Sequence, residues 1–244
     1  MSLDVAQLLD KLKASPAFIL LGVFVVLLSS LITISSGVSL LINLYGSTIG
    51  RKRLLLRNLR RLSAGVNIGY FESILGPPAF AKTSEPRREY VFINRDFYVQ
   101  AITDLEGAVI GFSLTTRRKH FNPGLTLGPY SLTGEGRTIR LGRTKFAEID
   151  GFAKPSKLSC SLGARRFDYH EEFYFGNPGN YQSFIFAIND AGYRSHPYIS
   201  PEWELSVDDP RVKAFRRDAI INTYTITAPH ISAENLGGFR LGEL

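Results

Sequence analysis

A single cysteine, Cys160, in 244 residues leaves no intrachain disulfide framework to consider. Histidine is almost as scarce. His120, His170, His196 and His230 are scattered, and no Cys/His group has the spacing of a structural zinc site. This usage fits a reducing cytoplasm. Motifs of known mechanism are missing as well: there is no HExxH pair, G-x-S-x-G elbow, Walker A loop or dinucleotide fingerprint. Gly134-Glu135-Gly136 reads as a turn, and His170-Glu171-Glu172 as a charged strand edge that could do acid/base work only at the base of a deep pocket. A non-enzymatic protein without a cofactor or metal is expected.

Charge is missing altogether between Lys13 and Arg51. Ala17 to Tyr45 reads AFILLGVFVVLLSSLITISSGVSLLINLY, which as a helix is about 43 Å long against roughly 30 Å of bilayer hydrocarbon. The run is about twice the length of a signal-peptide core and lacks an A-x-A-like exit, so a single transmembrane helix over 16–46 is expected after a short segment 1–15. Arg51, Lys52, Arg53, Arg57, Arg60 and Arg61 follow it with no acid among them, while Lys11 and Lys13 precede it. Basic residues stay on the cytoplasmic side, which places the C-terminal domain inside the cell in a single-pass topology. The overall charge of +7 is concentrated in these six residues, because 62–244 carries 21 basic and 20 acidic side chains.

Within the run, Gly22, Ser29, Ser36 and Asn43 recur every seven residues, with Thr33 and Gly37 on the same side. A 3.5-residue period of small and hydroxyl side chains suits a homo-oligomeric helix interface or a wet, pore-lining stripe. Hydroxyls bonded to their own i−4 carbonyls would give the same pattern with no partner helix.

The segment 47–76 reads as a basic juxtamembrane linker. In RKRLLLRNLRRL, Leu54, Leu55, Leu59 and Leu62 gather on one side of a helix whose arginines suit anionic headgroups. A further helix ends before Gly76-Pro77-Pro78, and Thr83-Ser84-Glu85-Pro86 reads as a loop. Beyond it the apolar period shifts to 2. Strands are expected over 90–94, 97–103 and 108–115, with Asp104-Leu105-Glu106-Gly107 as a hairpin connection. A second hairpin joins Phe167–Phe175 to Tyr181–Asn189, a short basic helix covers Arg211–Ala219, and Tyr224–Thr227 adds an edge strand. The fold class is α+β, with 77–244 a mainly antiparallel β-rich domain carrying short helices and an aromatic core.

Cationic and aromatic residues alternate in Arg117-Arg118-Lys119-His120-Phe121 and in Arg165-Arg166-Phe167-Asp168-Tyr169, and Arg140, Arg143 and Lys145 form a third basic segment. Guanidinium forks bind phosphates and aromatic faces stack bases, so these segments are candidate contacts for a small anionic ligand or an oligonucleotide. Strand edges protected by solvated cations would look the same.

The order of parts and the Ser-rich span resemble single-span bacterial membrane effectors of antiviral defence. That resemblance implies a cytosolic ligand-sensing domain whose helices assemble in the membrane, and it assigns no residue. The leading expectation is therefore an oligomeric sensor acting through its membrane helix, with the lipid bilayer and copies of itself as partners. The alternative is a passive anchor or adaptor that recruits a partner protein.

Overall fold

A computed structural model describes residues 20, 24, 29, 50–127, 137–149, 154–163, 166–177, 180–193, 199 and 206–231. The chain divides into two compact units, Met1–Leu54 and Leu55–Leu244. Among the described residues no helix is long and apolar enough to cross a membrane. The expected span lies outside the described residues except for Leu20, Phe24 and Ser29, which are helical and exposed. Of the stripe Gly22, Ser29, Thr33, Ser36, Gly37 and Asn43, only Ser29 is therefore described.

The second unit is α+β and mainly antiparallel, as its periodicity predicts. Eight strands form one sheet: β1 (Phe80–Ser84), β2 (Arg87–Ile93), β3 (Phe97–Thr103), β4 (Val109–Thr116), β7 (Lys157–Gly163), β8 (Arg166–Asn177), β9 (Asn180–Asn189) and β10 (Thr223–Thr227). Their order across the sheet is β1-β2-β3-β4-β10-β9-β8-β7, and β5 (Gly124–Leu127) with β6 (Arg137–Arg140) makes a separate two-stranded ribbon. Two meanders thus meet along their last strands, β4 and β10.

Local chemistry accounts for the hairpins. Between β3 and β4, the Asp104 carboxylate accepts from the amides of Glu106 (3.0 Å) and Ala108 (2.8 Å), while Gly107 takes φ +87°, open to a residue without Cβ. Two expectations need correction. Thr83-Ser84 is not loop but the end of β1, paired to Arg87 and Arg88. β10 is not an edge strand: it lies between β4 and β9, and all five of its residues are buried. Both of its faces are also closed to solvent, with Tyr224 and Ile226 on one and the three threonine side chains on the other.

Side-chain alternation gives the sheet two faces. One carries Phe92, Val99, Phe112, Leu114, Tyr224, Phe186, Phe173 and Tyr169, all buried in a single core cluster. Helix α2 (Ile68–Leu75) covers the β2–β4 half, its buried Phe71 ring 5.3 Å from Phe112 and 6.4 Å from Phe92. Helix α3 (Pro210–Asp218) covers the β8 half, with Phe215 4.6 Å from Tyr169. Helix α1 (Arg51–Leu59) contributes Leu55, Leu56 and Leu59 to the same core, followed by Leu62. Part of the leucine side expected to lie on lipid is therefore packed against protein, while all six basic residues of 51–61 remain exposed.

The opposite face is polar at its centre yet closed to solvent. Thr115 and Thr223 hydroxyls pair at 2.9 Å, Thr225 donates to Ser113 at 3.1 Å, and the Ser183 amide donates to the Thr227 hydroxyl at 2.9 Å. These side chains are 0–3% exposed, so the hydroxyls must satisfy one another. Where the β9–β10 connection begins, buried Asn222 bonds the Asn189 and Tyr193 carbonyls (2.7 and 3.3 Å) and accepts from the Asn189 amide (3.1 Å). Gly192 sits directly against it: a Cβ there would come within 2.6 Å of the Asn222 amide nitrogen.

Candidate functional site

The residues singled out for ligand contact fall in two places. Arg117, Arg118, Lys119 and His120 are exposed in the connection after β4. The Arg117 guanidinium lies 4.4 Å from the Tyr98 ring centroid and donates to the Asn94 carbonyl (3.1 Å), and Arg118 pairs with Asp96 at 3.4 Å. Phe121 turns the other way, 2% exposed and stacked on Phe97 with centroids 5.5 Å apart.

The second segment opens β8, at the same end of the sheet. β10 and β9 separate it from β4, three strand spacings or about 14 Å. Arg165 and the side chain of Arg166 lie outside the described residues. Phe167 and Tyr169 are buried in the core beside Phe215. The rings of both segments thus turn inward, while the basic residues that are described, Arg117, Arg118, Lys119 and His120, are exposed. Phe121, Phe167 and Tyr169 have packing roles, and a buried ring offers no face to a base.

Alternation along β8 divides His170-Glu171-Glu172. His170 and Glu172 lie on the polar face, where His170 meets Asp168 (2.9 Å) and Glu172 accepts from Ser183 (2.8 Å). Glu171 points into the core, so the three share no pocket.

In the core Glu171 meets Arg216. The Arg216 Nε donates to Oε1 at 2.6 Å and its Nη2 to Oε2 at 3.2 Å and to the Phe146 carbonyl at 3.4 Å, while the Tyr169 hydroxyl donates to Glu171 at 2.6 Å. Both charged side chains are almost fully buried. Burial, with the Glu171 carboxylate adjacent, drives the Tyr169 hydroxyl far above its ordinary pKa, so it stays a donor. A buried ion pair is tolerable because each partner supplies the other's countercharge and the remaining groups are bonded.

Arg216 also lines the larger of the two described cavities, a cleft of about 570 Å³ along α3. Val212, Phe215 and Arg216 turn α3 toward the core, and Pro210, Lys213, Ala214 and Arg217, three or four residues apart, form the side facing the cleft. The helix starts on Asp209, whose carboxylate caps the Arg211 amide (2.8 Å) and is held below the usual aspartate pKa by hydrogen bonding to Arg211. The facing wall is Ala147, which belongs to a 3-10 turn over Phe146–Ile149, with Lys154 and Pro155; Val207 and Asp208 close one end. The cleft therefore combines three exposed cations, Lys154, Lys213 and Arg217, with the exposed carboxylate of Asp208, which lies 3.3 Å from Lys213. The other cavity, about 150 Å³ and lined by Leu62, Ser63, Ala64, Leu125, Thr126, Leu127, Gln182, Phe184 and Ile226, contains no charged group.

Sequence reasoning identified the basic helix but not the cleft, because Lys154 reaches it from a distant, unpatterned segment. Arg140, Arg143 and Lys145 do not join it. Lys145 instead pairs with Asp218 at 3.5 Å. Among the described residues no cluster could hold a metal ion. No known family, characterised protein or solved structure matches this chain.

Proposed function

We propose that this chain is a non-enzymatic membrane protein whose β-rich domain binds a small anionic ligand in the α3 cleft and acts through an N-terminal membrane helix that assembles with other copies. The basic cleft carries the reading. Its volume lies in the range of small-molecule sites, it combines a largely apolar wall with a few charged groups, and its exposed side chains sum to two positive charges. A ligand of nucleotide size suits it better than an oligonucleotide, since strand binding needs a longer basic track with exposed rings.

The membrane part rests on the uncharged run from residue 14 to 50 and the six basic residues after it. Leu20 and Phe24, one helical turn apart and 70% and 60% exposed, have the character of lipid-facing side chains. The resemblance in layout to antiviral membrane effectors agrees with this reading. The test is calorimetric titration of the full chain in nanodiscs with the dianions inorganic phosphate, sulfate and AMP. At least one should bind saturably, and Lys213→Gln with Arg217→Gln should weaken it at least tenfold, roughly the loss of two charge-assisted contacts. If none binds, the passive anchor replaces the sensor.

A further inference from the structure

The cleft's lining is specific enough to narrow the ligand class, an inference that rests on the anion-binding reading above. Arg216 is not an available surface cation: its charge is matched by Glu171, within the core. The ligand-facing charge is set by Lys154, Lys213 and Arg217 against Asp208, a local excess of two. A monoanion would leave that excess half neutralised, and a polyanion would bring charge the cleft cannot match. The three cations also differ in kind. Two ammonium groups act as movable point charges, and one guanidinium presents a planar fork, a combination suited to tetrahedral oxyanions with several equivalent oxygens.

The remaining surface is apolar: Ala147, Pro155, Val207, Pro210 and Ala214. An inorganic ion would leave this wall wetted and most of about 570 Å³ unused. We infer that the α3 cleft binds a phosphate monoester carrying an apolar or ring-shaped body, with the dianionic phosphate held by Lys154, Lys213 and Arg217 and the body laid against the proline and alanine wall. Asp208 disfavours a third negative charge and offers an acceptor to a hydroxyl or amine of the ligand. The phosphate could belong to a soluble metabolite or to the headgroup of phosphatidic acid, which share this chemistry.

Phenyl phosphate has the simplest body of this class. Full-length protein in phosphatidylcholine nanodiscs should bind it at least tenfold more tightly than either inorganic phosphate or benzenesulfonate. Affinity should rise several-fold between pH 5 and pH 7.5, as the ester loses its second proton near pH 6. The groups facing the phosphate are Lys154, Lys213, Arg217 and Asp208. Asp208→Asn should tighten binding, while Lys213→Gln with Arg217→Gln should abolish it at unchanged melting temperature, because these side chains are exposed. Phosphatidic acid in the nanodisc should displace phenyl phosphate if the ligand is a lipid and leave it bound if the ligand is soluble; either result upholds the class. If inorganic phosphate or benzenesulfonate binds as tightly and the double variant weakens it, the cleft is a general anion site and the inference fails while anion binding stands. If no anion binds, both fall.

Discussion

Cys160 shows how its surroundings can silence a reactive residue. It sits half-buried on β7, paired in register with Tyr169, and burial together with the negative charge of Asp168 pushes its thiol up to about 11. At neutral pH only about one molecule in ten thousand would then carry the nucleophilic thiolate. Ellman's reagent should label native protein at least tenfold more slowly than urea-unfolded protein at pH 7, and equal rates would show an exposed thiol. Asn222 is a different case, a fully buried amide that serves both ends of the β9–β10 connection. Asn222→Ala strands an amide and a carbonyl of neighbouring backbone, each worth about 1–3 kcal/mol, so urea unfolding should show a loss of roughly 2–4 kcal/mol. A loss below about 0.5 kcal/mol would mean that water replaces these bonds. Both residues act through neighbours brought in from other segments, which is why their roles are hard to see in one dimension.

Elements were legible to the extent that their partners are close in sequence. The β3–β4 hairpin could be read directly, since Asp104 and Gly107 encode its turn and the flanking residues alternate. The β8–β9 pair was equally local. β10 was recognisable as a strand but not as a central one, because Ser113, which bonds Thr225, is 112 residues away. A strand's position in a sheet is a property of its neighbours, and TYTIT alone fits an edge or a centre. α1 was visible as a helix for the same local reason, while the destination of its leucines depended on a core assembled later in the chain. The exposed edges, β1 and β7, each carry a lysine, Lys82 and Lys157, in keeping with protection against strand addition. Thr225→Pro tests the central placement. It removes a backbone donor from a strand paired on both sides and should abolish the folded circular-dichroism signal, whereas an edge strand would tolerate it more readily.

At the scale of the molecule, the proposed function requires a ligand-binding domain and a membrane element that does more than anchor. The candidate stripe supplies the sharpest test. If that stripe faces other copies or a wet lumen, changing Ser36 and Asn43 to Leu would remove cross-helix hydrogen bonds worth about 0.6–2 kcal/mol each, or dry the lumen. Cross-linked oligomers or ion leakage from reconstituted vesicles should decrease, while membrane insertion improves. If both assays match the wild type, the helix is an inert anchor and the cleft, whatever it binds, signals by another route.

The insertion of β10 also bears on how the domain is made. Until that strand arrives, β4 and β9 are both open edges, each with an unpaired row of backbone donors and acceptors. Neither β4 nor β9 can shelter the other, since residues 111–115 and 184–187 meet only through 223–227. Closing such long loops before any contact rewards them slows folding and leaves sticky intermediates in the interval. The domain is thus built to reach its native state late and all at once, and crowding of nascent chains is the circumstance in which it would most need a chaperone.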